Sequence, residues 1–191
     1  MSITGRLLST AIFIGIAALP GLTAAEDEGL PKVVIETSVG SFEVELYPDR
    51  APASVANFLS LVDDGFYDGL IFHRVIANFV VQTGGYDAVM GYRQPPRTVI
   101  NESANGLKNR RGYLAMARLS DPDSADAQFY INVRDNPHLD AEPGSPGYTV
   151  FGKVISGWEI VVEIELSDTV VRAGMVGVPE VPIVIRRAAR R

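Results

Sequence analysis

Residues 32–48, KVVIETSVGSFEVELYP, pass from a β-branched run into strict alternation. Phe42, Val44 and Leu46 alternate with Ser41, Glu43, Glu45 and Tyr47, the period-two pattern of a strand with one buried face. Val39-Gly40 marks a tight turn, so the stretch predicts a hairpin. Pro48 ends it, and the period changes. Within 51–69, Val55, Phe58, Leu59 and Val62 fall at i, i+3, i+4 and i+7, one face of a helix. Pro52 suits its first turn and Gly65 its stop.

Short apolar segments follow at 70–76, 79–83, 97–100, 112–117, 128–133 and 148–155, each bounded by turn residues. They predict strands. Residues 157–165 predict a second helix and 181–188 a closing strand. The intervening stretches 85–97, 119–127, 134–147 and 167–180 are rich in Gly, Pro, Asp and Ser and predict loops. Many short strands with two helices and no βαβ alternation point to an antiparallel barrel or sandwich.

The first 25 residues stand apart. One positive charge, Arg6, precedes an apolar stretch broken by Pro20-Gly21, and Thr23 and Ala25 occupy the small-residue positions of a cleavage site. That is the layout of a secretory signal peptide; the apolar stretch is short for a membrane span of ~20 residues. Cleavage after Ala25 would leave one domain and carry the chain to a periplasm. The absence of cysteine excludes disulfides and thiolate metal sites and fits an oxidising compartment. Seventeen basic against 23 acidic residues give −6, which argues against a nucleic-acid binder. The basic terminus RRAARR reads as a solvated tail.

Reactive groups are scarce. His73 and His138 share no metal-ligand spacing, and no nucleophile elbow, phosphate loop or dinucleotide fingerprint is present. What remains is polar residues inside apolar strands. In a strand over 70–76, Phe72 and Arg74 would share one face, and His73 and Val75 the other. In AQFYINV, Phe129, Ile131 and Val133 form a core face, leaving Gln128, Tyr130 and Asn132 on the outer one. An outer, mostly apolar wall carrying a few aimed polar groups describes a ligand site. Taken singly, Arg74 reads as a solvated or ion-paired charge, His73 as a core histidine, and Gln128 and Tyr130 as ordinary outer-face residues.

Taken together and in order, APASVANFLSLVDDGFYDGLIFHRVIANFVVQTGG, GYLAMARLSDPDSADAQFYINVRDNPHLD and YTVFGKVISG resemble the cyclophilins, the peptidyl-prolyl cis/trans isomerases, over about residues 32–188. The form of the middle motif is similar to that of periplasmic members from Gram-negative bacteria. The resemblance implies a mainly β fold: a closed eight-stranded antiparallel barrel capped by two α-helices, with the site on its outer wall. It implies that Arg74 is catalytic and that Phe79, Val80, Gln82, Ala117, Arg118, Gln128, Tyr130, His138, Leu139 and Tyr148 bind substrate. Departures from the family pattern are Val80 for a methionine, Arg118 for an asparagine, Tyr130 for a phenylalanine and Tyr148 for a histidine. His138 stands where many eukaryotic members carry a tryptophan associated with cyclosporin binding. Phe79 and Gln82 have opposite parity, so a bulge or a strand beginning after Phe79 is needed to aim both at one site.

The implied activity is isomerisation of X-Pro bonds in exported proteins, without cofactor or metal. Its partners would be proline-containing polypeptides, with no nucleic acid and, after signal cleavage, no membrane; the expected state is a monomer. The departures motivate the alternative of a non-catalytic peptide-binding or chaperone module on the same scaffold.

Overall fold

A computed structural model describes residues 29–191 together with Met1. The expected signal peptide, Met1 aside, lies outside the described residues. Among the described residues no helix is long and apolar enough to cross a membrane.

The chain opens on the expected hairpin, β1 (Lys32–Thr37) and β2 (Gly40–Leu46), followed by α1 (Pro52–Asp63). Next come β3 (Arg74–Ile76), β4 (Val80–Thr83), β5 (Tyr113–Met116), β6 (Phe129–Asn132) and β7 (Val150–Ser156). The second helix, α2 (Trp158–Glu165), leads to β8 (Thr169–Arg172), β9 (Met175–Pro179) and β10 (Ile185–Arg190).

Eight strands form one antiparallel sheet in the order β10-β1-β2-β7-β5-β6-β4-β3. The expected closed barrel is corrected here. The sheet curls, but its edge strands β3 and β10 do not form a ladder with each other. The gap is bridged by the irregular chain ahead of β3 and by residues at the start of β10 and just before it. Gly69 and Phe72 donate to the Ile185 and Ile183 carbonyls, and Ile185 donates back to Leu70. Strand 70–76 therefore shrinks to the three residues of β3, because its first half serves this seam.

Two expectations fail locally. Residues 97–100 are not a strand; Val99 makes a single bridge to Ala125. The 167–180 loop contains the β8–β9 hairpin instead. Ala173-Gly174 turns it with φ of 50° and 80°, the paired left-handed conformations favoured in tight hairpins.

Inside the curl, Ile35, Phe42, Leu46, Leu114, Phe129, Ile131 and Phe151 are all but fully buried. Phe58 of α1 inserts between Phe129 and Phe151, with ring centroids 5.3 Å from each. Residue 51 offers α1 no side-chain cap. Glu102 supplies one from a distant loop, accepting from Ala53 N (2.9 Å), Ser54 N (2.9 Å) and Ser54 Oγ (2.7 Å). A carboxylate there satisfies orphan donors and complements the positive end of the helix dipole. On the opposite, outer face a smaller apolar cluster forms around Val80, Ala115, Tyr130 and Val150. That cluster floors the candidate site.

Candidate functional site

The strand order sets β4 between β3 and β6. The register aligns Arg74 with Gln82 and Gln82 with Tyr130. One residue from each of three neighbouring strands thus lies in a row across the outer wall. β4 begins at Val80, so Phe79 belongs to the preceding turn, where Asn78 has φ 55°. This resolves the parity conflict: Phe79 and Gln82 approach the same place from a turn and a strand.

The parity argument for Phe72 does not survive. Phe72 is fully buried in the inner core, as is Val75. Residues 72 and 73 are not in strand geometry, so alternation does not carry through to Arg74. Arg74 reaches the outer wall without Phe72.

Arg74, Phe79, Val80, Gln82, Ala117, Arg118, Tyr130, Leu139 and Tyr148 line one cleft of about 260 Å³. These are nine of the eleven residues expected from the sequence. The other two adjoin it. His138 is exposed and stacks on Phe79 at 5.5 Å with an interplanar angle of 20°. Gln128 lines a neighbouring hollow of about 320 Å³ that shares Gln82, Ala117 and Arg118 with the cleft.

Polar contacts fix the cleft's working face. The Arg74 guanidinium donates to Gln82 Oε1 at 3.3 Å, and Gln82 Nε2 donates to Gln128 Oε1 at 3.1 Å. Its Cζ also stands 5.8 Å from the Phe79 ring centroid. No carboxylate pairs with Arg74 among the described residues. Its charge is therefore held in place but not neutralised, and the ion-paired reading of a strand arginine does not hold among the described residues.

Arg118 behaves differently. Its guanidinium donates to the carbonyls of Pro146 (2.8 Å), Gly147 (3.2 Å) and Leu119 (2.9 Å) and lies 4.7 Å from the Tyr148 ring centroid. Arg118 thus borders both hollows while in contact with Tyr148.

Tyr130 is 4 % exposed and its hydroxyl donates to Asn109 Oδ1 at 2.9 Å. Burial pushes its phenol well above the ordinary value, so it remains a donor. Asn109 was not singled out from the sequence, and it is the hub of this region. Its Nδ2 donates to Leu139 O and to Asp140 Oδ1, both at 3.1 Å, and its Oδ1 also accepts from Asn132 Nδ2 at 3.3 Å. Asn136 Nδ2 in turn donates to Phe79 O at 3.0 Å and Asn132 Oδ1 at 2.8 Å. Phe79 and Leu139, which both line the cleft, are thereby tied into one amide network.

Two more asparagines act alike. Asn101 Nδ2 donates to Gly147 O at 3.0 Å and Asn105 Nδ2 to Val150 O at 2.9 Å. Asn101, Asn105 and Asn109 recur every four residues in a stretch that is not helical, and each bonds the 139–150 segment. That interval was the available signal.

His73 is 2 % exposed and packs on Tyr86, with centroids 4.9 Å apart. Burial pushes its imidazole down to about 4, and the adjacent Arg74 charge acts in the same direction. Its Nδ1 is buried without a partner. The ring is enclosed and does not line the cleft, so it is not placed to exchange protons with a ligand there.

A cleft that sets the apolar side chains Phe79, Val80 and Leu139 beside the Arg74 guanidinium can grip a compact ring and donate hydrogen bonds at its edge. A family model described as "Cyclophilin type peptidyl-prolyl cis-trans isomerase/CLD" matches residues 32–190. The chain is 47% identical over 153 residues to a peptidyl-prolyl cis-trans isomerase of Acinetobacter baylyi, covering 80% of this chain and 81% of that one. It is 46% identical to peptidyl-prolyl cis-trans isomerase A of Dickeya dadantii, covering 82% of each. Among solved structures, it resembles a cyclophilin type peptidyl-prolyl cis-trans isomerase of Cryptosporidium parvum crystallised in the presence of the dipeptide Ala-Pro. The TM-score is 0.70 at 29% identity, covering 84% of this chain and 98% of that one.

Proposed function

Because the chain belongs to the cyclophilin-type peptidyl-prolyl cis-trans isomerases, we propose that its reaction runs through Arg74, by electrostatic stabilisation of a twisted X-Pro bond. The peptide C–N bond resists rotation by ~18–20 kcal/mol because twisting destroys its resonance. At the perpendicular geometry the prolyl nitrogen recovers its lone pair and accepts a hydrogen bond. A fixed guanidinium binds that state better than either planar isomer, which is all that catalysis of a rotation requires. No nucleophile, proton transfer or metal takes part.

The observation that carries this reading is an arginine bonded to Gln82 in a cleft it shares with Phe79, Val80 and Leu139, with no carboxylate partner among the described residues. Arginine suits the task because it stays charged and presents a rigid fork of donors. Phe79, Val80, Leu139, Tyr130 and Tyr148 receive the proline ring. Gln82, Gln128 and the backbone at Ala117–Arg118 hold the chain on the other side of the bond. This split grip defines the rotation axis. The departures at Tyr130 and Tyr148 leave the slot lined, since the Tyr130 hydroxyl is turned to Asn109 and Tyr148 is covered by Arg118. We assign the activity to X-Pro bonds of exported polypeptides in a periplasm, on the strength of the N-terminal sequence pattern, and expect a monomer.

The test is the cis-to-trans rate of an Ala-Pro peptide with the wild type and with Arg74→Ala. Loss of the guanidinium is expected to lower kcat/KM by about 10²–10³-fold, the cost typical of removing one donor to developing charge. Equal acceleration by both proteins refutes the role of Arg74.

A further inference from the structure

We propose that a second groove, separate from the proline cleft, binds a polypeptide segment in which a large apolar side chain is flanked by lysine or arginine. The groove lies between the C-terminal half of α2, the β1–β2 turn and residues 180–183, and encloses about 780 Å³ against 260 Å³ for the cleft. It shares no lining residue with the cleft or its neighbouring hollow.

Its floor is apolar: Val39, Val162, Leu166, Val181, Pro182 and Ile183. Leu166 is 73 % exposed and Val181 77 %. Single exposed apolar residues are ordinary. Here they adjoin further apolar residues in one concavity, which is the form of an interaction site. The walls are fixed rather than adventitious. Ser38 N donates to Val184 O (2.8 Å) and Val184 N to Ser38 Oγ (3.1 Å), joining the β1–β2 turn to the 181–184 segment. On the other side Glu180 N donates to Asp168 O at 2.8 Å.

The rim has one sign of charge. Glu159, Glu163, Asp168 and Glu180 all border the groove, with no lysine or arginine among its lining residues. None of these four carboxylates is in an ion pair among the described residues. Arg172 bonds the backbone carbonyl of Glu180 at 2.8 Å rather than a carboxylate, and Arg111, near Glu159, lies 4.5 Å over the Trp158 ring. α2 ends here with no basic residue in its last turn, so its negative dipole end adds to the four charges. A cation beside an apolar anchor satisfies both features at once. An acidic or purely apolar segment satisfies one or neither.

Titrating the isotopically labelled full chain with proline-free peptides, followed by amide chemical shifts, tests this. A peptide centred on Lys-Leu-Lys is expected to shift residues 159–168 and 180–183 while leaving Arg74 and Gln82 unmoved. A Glu-Leu-Glu version and a Lys-Ser-Lys version are expected to shift neither set. Glu163→Lys combined with Asp168→Lys, and separately Leu166→Ser, should each weaken binding by about tenfold or more, as loss of charge steering or of an anchor does. Both variants should retain the wild-type rate on an Ala-Pro peptide, which reports an intact fold. The proposal is overturned if the three peptides bind alike, if only cleft residues shift, or if no peptide binds. Shifts of the groove amides on concentrating the protein alone would assign it to a second copy, and contacts to residues 2–28 would assign it to the chain's own N-terminal segment; either overturns the proposal. Because the peptides contain no proline, failure here leaves the isomerase reading untouched.

Discussion

Replacing Tyr130 by phenylalanine removes one buried hydroxyl and nothing else. In the folded protein that hydroxyl donates to Asn109 Oδ1 at 2.9 Å, and the acceptor still receives Asn132 Nδ2 at 3.3 Å after the exchange. No group is orphaned, so the cost should be that of one neutral hydrogen bond, about 1 kcal/mol. Asn109→Ala is different. It deletes four bonds: to Tyr130, to Asn132, to Leu139 O and to Asp140. It also strands the Tyr130 hydroxyl in a site 4 % exposed. We expect a loss of about 3–4 kcal/mol. In the Tyr130→Phe background there is no hydroxyl to strand, so Asn109→Ala should cost about 1–2 kcal/mol less. Urea unfolding of the four proteins, with slopes compared to confirm a common transition, measures the cycle. The Ala-Pro isomerisation rate of Tyr130→Phe should stay within about threefold of wild type, since the hydroxyl faces Asn109 rather than the ring site. Strict additivity, or an Asn109→Ala cost near zero, would refute the view that an amide network supports the cleft.

The buried imidazole of His73 gives a pH signature. Its folded pKa of about 4 lies below the ordinary 6.5. The unfolded chain therefore binds the extra proton between those values. Stability contributed by the neutral ring is complete above pH 6.5 and is lost as pH falls toward 4, by about 3 kcal/mol in all. Urea midpoints at pH 7.5 and 4.5 should show this, and His73→Phe should flatten the difference. Glu102→Ala removes three bonds at the start of α1 and is expected to cost about 2 kcal/mol, with Glu102→Gln recovering part of it, read by thermal unfolding.

The hairpin and the helices were legible from their alternation or helical spacing, whereas β4, β5 and β6, buried along nearly their whole length, were legible only as short apolar runs between turn residues. Residues 70–76 misled because an apolar run states that a segment is buried, not that it is a strand. Leu70 to His73 are buried in seam geometry, and alternation begins only at Arg74. The β8–β9 hairpin was missed because its turn uses Ala173 in a conformation that glycine or asparagine usually signals. At the site, resemblance named the residues that line the cleft. It did not name those that hold them. Asn109 and Asn136 act through amide bonds to residues far along the chain, and the four-residue interval of Asn101, Asn105 and Asn109 marks a pattern without saying which groups it meets. The placement of Gln82 between Arg74 and Tyr130 needed the strand order 3-4-6, which neither pattern nor propensity specifies.

The seam has a consequence in time as well as in space. β1 lies between β2 and β10, so the first strand of the domain takes its second partner from the last. Both sides of the seam, 69–72 and 183–185, also wait for that end of the chain. During synthesis, every earlier element emerges while one edge of β1 is still bare and the curl is still open. Pairings this distant form late, because chain entropy is lost before they repay it. Until its last strand is available the chain is thus an incomplete sheet with an exposed edge, the state most prone to pairing with other chains. Arrival of the last few residues, rather than formation of the cleft, marks the moment the fold is committed.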